Sequence, residues 1–395
     1  MPPESLPAPR LDWRTKLAHP DAAAPPGFRS LVTPVYRGST TVFASAAHVH
    51  DHWDRRETPY TYGLYGTPTT LELAARIAEL EGGGLTFIAP GGQAAIALVD
   101  LAVLKAGGHV LIPDCIYGPH REFSDRWLSR WDIRAEYYDP MIGAGIAALL
   151  RPQTQLVWCE SPGSVTMEVQ DVPAIAAAAH AAGVPVALDN TYAAGVFFDA
   201  FGHGADIAVQ ALTKYIGGHS DLLLGSVTVR DEALYRALGD AQQLLGMGVS
   251  PDDCSLALRG LQTLGVRLDH LQRSTLEVAQ WLQAQPRVAR VRHPALPGSP
   301  GHEIWKRDFT GSASVFSVEF DAALAQDDLV AFIDRLRLFK IGYSWGGTTS
   351  LVVPQFSLHR DLPRAGRNLV RFNIGLERSD DLIEDLRASL ARLPG

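Results

Sequence analysis

Apolar positions along this chain fall into alternating short runs and helical stripes. From residue 70, "TLELAARIAELEGG" puts Leu73, Ile77 and Leu80 on one face of a helix that stops at glycines. "GGQAAIALVDLAVLKAGG" (91–108) predicts a second helix, entered and left through glycines, and "HVLIPD" (109–114) a strand after it. "TQLVWCE" (154–160) reads as a buried strand, "VPAIAAAAHAAG" (172–183) as a helix, and "VPVALDN" (184–190) and "ADIAVQAL" (205–212) as strands. Short apolar strands alternating with helices imply parallel strands joined by helical crossovers, an α/β domain whose ligands bind at the strand ends. Past residue 251 the period lengthens. "DDCSLALRGLQTLGVRLDHLQRSTLEVAQWLQAQ" predicts a long amphipathic helix or a helix pair. Strand-like "ASVFSVEF" and "NLVRFNIGL" then alternate with helix-like "DDLVAFIDRLRLF" and "SDDLIEDLRASLARL", a smaller α+β unit. Residues 1–59, rich in Pro and His and without clear period, read as an N-terminal arm. The expected division is therefore arm 1–59, large domain 60–255 and C-terminal domain 256–395.

Composition narrows the function. With 46% hydrophobic and 20% charged residues the 395-residue chain is globular in composition. A net charge of −8 argues against nucleic-acid binding, which leaves a basic footprint. Cys115, Cys159 and Cys254 form no C-x-x-C pair and no metal spacing, which suits a reducing compartment. The N-terminus shows no signal-peptide pattern, and apolar stretches are interrupted by His, Gly or Pro before reaching membrane-spanning length. A soluble, cytoplasmic protein without a membrane partner is expected.

Three side chains at predicted strand ends and one glycine-opened helix carry the candidate chemistry. Lys214 in "VQALTKYIGGHSD" is the only Lys or Arg between Arg151 and Arg230. With few solvating charges nearby its amine is easier to deprotonate, as a Schiff base requires; an ordinary edge lysine is the plainer account. Asp189 in "VALDNTYAAG" stands where an apolar strand should end, either to protonate a ring nitrogen or as a turn residue. Tyr117 in "IPDCIYGP" could stack on a flat ligand or simply pack. Gly91 and Gly92 open a helix whose first N–H groups suit a phosphate, although no G-x-G-x-x-G is present. Together these are the requirements of pyridoxal phosphate. Arg371 in "NLVRFNIGL" could bind a carboxylate through its planar fork, or face water on an edge strand. "YSWGGTTSL" offers Ser344 and Trp345 in a binding loop or a tight turn.

From about residue 30 to its end, the chain resembles the Cys/Met-metabolism family of pyridoxal-phosphate enzymes, most of all its cystathionine β-lyase branch. The resemblance lies in "ESPGSVTMEVQDVPAI", "LDNTYAAGV", "TKYIGGHSD", "RGLQTLGVRL", "HPALPGS", "WKRDFTGS" and "YSWGG". It implies an aspartate-aminotransferase-like architecture (fold type I), with a mostly parallel seven-stranded sheet and a smaller α+β domain, assembled as a homotetramer of two dimers. It implies pyridoxal 5'-phosphate as cofactor, with Lys214 as Schiff-base lysine and Asp189 on the pyridinium nitrogen. Tyr117 would stack on the ring, and the phosphate would lie on Gly92, Gln93 and Thr213. Arg371, helped by Ser344, would take the substrate carboxylate, and Tyr62 would enter the neighbouring subunit's site. Three positions depart from the family: Leu64 replaces a usual arginine, Ala211 a common serine, and Ser164 a common asparagine.

The implied reaction is β-elimination from an amino-acid thioether: L-cystathionine to homocysteine, pyruvate and ammonia. Lys214 would move the Cα proton, and Tyr117 or Tyr62 could assist. A γ-lyase, γ-synthase or cysteine desulfhydrase would share this machinery. A nicotinamide oxidoreductase and a catalytically silent homologue are the alternatives outside it.

Overall fold

The computed structural model describes residues 12–18, 27, 30–54, 56, 60–358, 360 and 366–394. Parts of the expected arm lie outside them. Seven strands build the larger sheet: β1 (Leu85–Ala89), β2 (His109–Pro113), β3 (Arg134–Tyr138), β4 (Thr154–Glu160), β5 (Val186–Asp189), β6 (Ile207–Gln210) and β7 (Gly225–Val229). Their order is β1-β7-β6-β5-β4-β2-β3. β6, β5, β4, β2 and β3 run parallel, and β7 is antiparallel to both its neighbours. The expected α/β architecture is thus present.

Side-chain alternation explains why both faces are covered. Val110, Ile112, Leu156, Trp158, Ala187, Ile207 and Val209 enter one core, against the helix Gly92–Val103. Their in-between neighbours Leu111, Val157, Cys159, Leu188 and Ala208 enter the other, with Leu73 and Ile77 of the helix Pro68–Leu80. Strands buried on both faces read as continuous apolar runs. Each large side chain so buried contributes about 1.5–3 kcal/mol. β1, β3 and the reversed strand β7 escaped the sequence reading. β7, "GSVTV", carries Thr228, whose hydroxyl pairs with Thr86 of β1 at 2.8 Å, so polar residues are buried where an apolar run was sought.

The expected helix pair is Pro251–Gln262 and Leu264–Gln283. Ser250 caps the first through its hydroxyl, which accepts from the Asp252 and Asp253 N–H groups. The second helix gives Leu264, Leu268 and Leu271 to the large core, and Val278, Ala279 and Leu282 to that of the smaller unit. There β8 (Val288–Arg292), β9 (Val315–Phe320), β10 (Lys340–Ile341), β11 (Leu351–Pro354) and β12 (Leu369–Asn373) form a sheet ordered β10-β11-β12-β9-β8. β12 is its middle strand. Val370 and Phe372 turn into the small core, so Arg371 and its cross-strand partner Ser317 face the large domain. The water-facing edge reading of Arg371 is therefore ruled out. Among the described residues, no helix is long and apolar enough to cross a membrane.

Candidate active site

Parallel strands deliver their carboxyl ends to one edge of the sheet, and the predicted residues gather there. Asp189 is the last residue of β5 and pairs in register with Glu160, the last of β4. Tyr117 lies just past β2, heading the helix Gly118–Arg126. Lys214 follows β6 in a turn closed by Lys214 N–H to Ala211 O (3.0 Å) and Gly218 N–H to Lys214 O (2.8 Å). Against that turn packs the loop 343–347 of the small domain. Gly346 has φ +81°, and a Cβ there would come within 2.9 Å of the Lys214 carbonyl carbon, so only glycine fits. Ser344 also takes a positive φ, 87°, a costly conformation of the sort that clusters at functional sites.

Two adjoining cavities, about 620 and 850 Å³, share Tyr117, Ser164, Thr213, Lys214, Leu223 and Trp345. Gly92, Gln93 and Asp189 line the first; Ser344 and Arg371 line the second. Of the predicted residues only Tyr62 is apart. It lines neither cavity of its own chain and is 48% exposed.

The Lys214 amine donates to Ser344 Oγ at 2.6 Å and lies 4.5 Å from the centre of the Trp345 ring. Burial, then the Arg371 charge, pushes it down to about 8, while Asp189 pulls it back up. Neutral amine is therefore present near physiological pH. The Arg371 guanidinium lies 5.1 Å from the same ring and donates through Nη1 to Ser164 O at 3.2 Å, the single side-chain hydrogen bond of Arg371 among the described residues. Burial pushes this guanidinium down to about 10. Asp189 Oδ1 accepts the Thr191 N–H at 3.0 Å, and burial pushes its carboxyl up. Burial also raises Tyr117, with help from the negative Asp189 and Glu160.

Glu160 escaped the sequence reading, although it offers the signal that singled out Asp189: an acid ending an apolar strand. It is 4% exposed, and burial with the Asp189 charge pushes it up to about 8. The departures from the family also have places. Leu64 turns into its own chain, lining a small cavity with Met247 and Val249. Ala211 faces Gly92 at the start of its helix, and its N–H donates to Thr191 Oγ1 at 2.8 Å. Ser164 contributes its backbone, which a change of side chain leaves in place.

Pyridoxal 5'-phosphate fits the residues present. The helix Gly92–Val103 starts without a side-chain cap, and the buried Gln93 Oε1 and Trp345 Nε1 beside the cavities have no hydrogen-bond partner. Unspent polar groups there await a polar ligand.

Comparison with known proteins agrees. The family model for Cys/Met metabolism PLP-dependent enzymes matches residues 14–391, and the chain belongs to that family. Its cofactor is pyridoxal phosphate, which decides against the nicotinamide alternative. Within the family, the chain is 43% identical to cystathionine beta-lyase MetC of Escherichia coli, over 91% of this chain and 93% of that one. It is 40% identical to cystathionine beta-lyase of Salmonella typhimurium, over 96% and 98%. A crystal structure of cystathionine gamma synthase from Xanthomonas oryzae pv. oryzae in complex with cystathionine superposes with a TM-score of 0.89, at 29% identity, covering 97% of this chain and 98% of that one.

Proposed function

We propose that this protein is a carbon–sulfur β-lyase that cleaves L-cystathionine, with one water consumed, to homocysteine, pyruvate and ammonia. One observation carries the reading: the weakly basic amine of Lys214 and the underused guanidinium of Arg371 face one cavity. The similarity to β-lyases of known name supports the choice of substrate.

Bound pyridoxal phosphate supplies an electron sink for the pair left at Cα when its proton departs. The chain's own residues do the rest. Arg371 takes the substrate α-carboxylate in its fork. That fixes the Cα–H bond toward Lys214, whose neutral amine accepts the proton. Ser344 Oγ, 2.6 Å from that amine, holds it in place. Asp189 would meet the ring nitrogen, and Tyr117 the ring face. The free N–H groups of Gly92 and Gln93, with the Thr213 hydroxyl, would hold the phosphate. Sulfur then leaves Cβ as a thiolate.

The proposal extends to assembly as a homotetramer with sites shared between subunits. The exposure of Tyr62 and Tyr60, outside their own chain's cavities, supports a role across an interface. Leu64 brings no charge for a neighbour's phosphate. A cytoplasmic location suits three free, buried cysteines.

The test is product identity. Protein loaded with pyridoxal phosphate and given L-cystathionine should release pyruvate, and the Lys214→Ala variant should release none. Release of 2-oxobutyrate would redirect the assignment to a γ-lyase.

A further inference from the structure

Glu160 holds together groups that three separate elements contribute. Its Oε2 accepts the Tyr117 N–H at 2.7 Å, and its Oε1 accepts the Ser164 N–H at 2.8 Å. Its own N–H donates to Gln170 Oε1 at 2.8 Å, which anchors the strand end. The carbonyl of the same Ser164 accepts from Arg371, and one residue further the Val165 carbonyl accepts from Ser317 Oγ (2.5 Å). Arg371 and Ser317 are cross-strand partners, so both small-domain contacts fall on the loop that Glu160 fixes.

We propose that Glu160 is a positioning residue: its carboxyl sets Tyr117 directly and Arg371 through the 161–165 loop, so that ring-stacking and carboxylate-binding groups stay in register. Glu160 also borders the cavity that Gly92, Gln93 and Asp189 line, but both its oxygens are taken by these backbone N–H groups, and the role is exerted through the two residues it orders. Its purpose rests on the β-lyase reading; the clasp itself does not.

Both oxygens of the carboxyl are in use, which makes Glu160→Gln a discriminating change. An amide has one acceptor oxygen, so its NH₂ must face one of the two N–H groups and open that half of the clasp. Amide exchange followed by mass spectrometry should quicken about ten-fold or more in a peptide containing Tyr117 or one containing Ser164, as expected for a buried N–H left without its acceptor. In turnover of L-cystathionine, KM should rise about ten-fold, while the visible absorbance of bound cofactor per subunit is kept. In an Arg371→Ala background the same change should add less than about two-fold, because residues that act in series are not additive. Glu160→Asp, which keeps both oxygens, should recover part of the affinity. Unchanged exchange in both peptides overturns the clasp. Effects that multiply with Arg371→Ala, or cofactor loss in place of a KM change, overturn the link to Arg371. If the wild-type protein fails to turn over cystathionine, the β-lyase reading falls, and the exchange result still judges the clasp.

Discussion

Arg371 and Arg267 are the same residue in nearly the same predicament. Each is about nine-tenths or more removed from water, at 7% and 6% exposure, and burial pushes each guanidinium down to about 10. Neither has a carboxylate partner among the described residues. They differ in what their donors do. Arg267 spends its fork on backbone carbonyls: Tyr215 O at 2.6 Å, Gly260 O at 2.7 Å and Ile216 O at 3.5 Å, with Nε on Thr263 Oγ1 at 3.1 Å. It lies so close to Gly218, φ +74°, that a Cβ there would meet Nη1 at 2.3 Å. Arg371 spends one donor, on Ser164 O, and leaves the rest toward a cavity. A guanidinium has five N–H donors, and a buried one left unmatched is unfavourable unless a ligand completes it. Arg267 is thus a strut behind the Lys214 turn, whereas the unused donors of Arg371 on a cavity suit the binding role proposed for it.

Methionine at each position breaks the comparison in opposite ways, with little change of volume. Arg267→Met strips several buried carbonyls of their donors at once. It should lower unfolding free energy by roughly 3 kcal/mol, since each orphaned group costs about 1–3. Thermal and urea melts of the loaded protein check it, and KM at the temperature of assay should change little. Arg371→Met should leave the melt within about 1 kcal/mol of wild type. Its KM for an amino-acid substrate should rise roughly 10- to 100-fold, from a charge-assisted fork worth about 1.5–3 kcal/mol. If both variants lose stability alike and KM alike, the distinction between strut and binding group is wrong.

The same two arginines show how far the sequence could be read. Lys214, Asp189 and Tyr117 were legible because parallel strands end at one edge, so an odd side chain closing an apolar run falls beside its counterparts. Glu160 obeys that rule too, closing the apolar run "LVWCE", so the signal that marks Asp189 was present for it as well. Arg371 was ambiguous for a different reason. Its burial depends on β12 being the middle strand and on which face meets the large domain, and pairing order is not written in a single strand's pattern. Arg267 was invisible as a strut: on an amphipathic helix an arginine ordinarily faces water. Its partners, at 215, 216 and 260, meet it only once the helix Leu264–Gln283 is laid against the turn after β6. The glycine-opened helix at Gly91 and Gly92 already suggested a phosphate, and the resemblance to the family carried the rest, including the expectation for Tyr62.

The central claim is that Lys214 is the amine that carries the cofactor. The chain has five lysines, so the claim has four definite competitors. Lys16 and Lys306 are paired with Glu79 and Glu303. Lys340 donates to the Arg337 carbonyl, and Lys105 is exposed. The loaded protein should be reduced with borohydride, digested, and the modified peptide sequenced by mass spectrometry. The account predicts one pyridoxyl group per subunit, on Lys214 in "ALTKYIGG", and none on the Lys214→Ala variant. Stoichiometric label on any other lysine, with Lys214 unmodified, would contradict it.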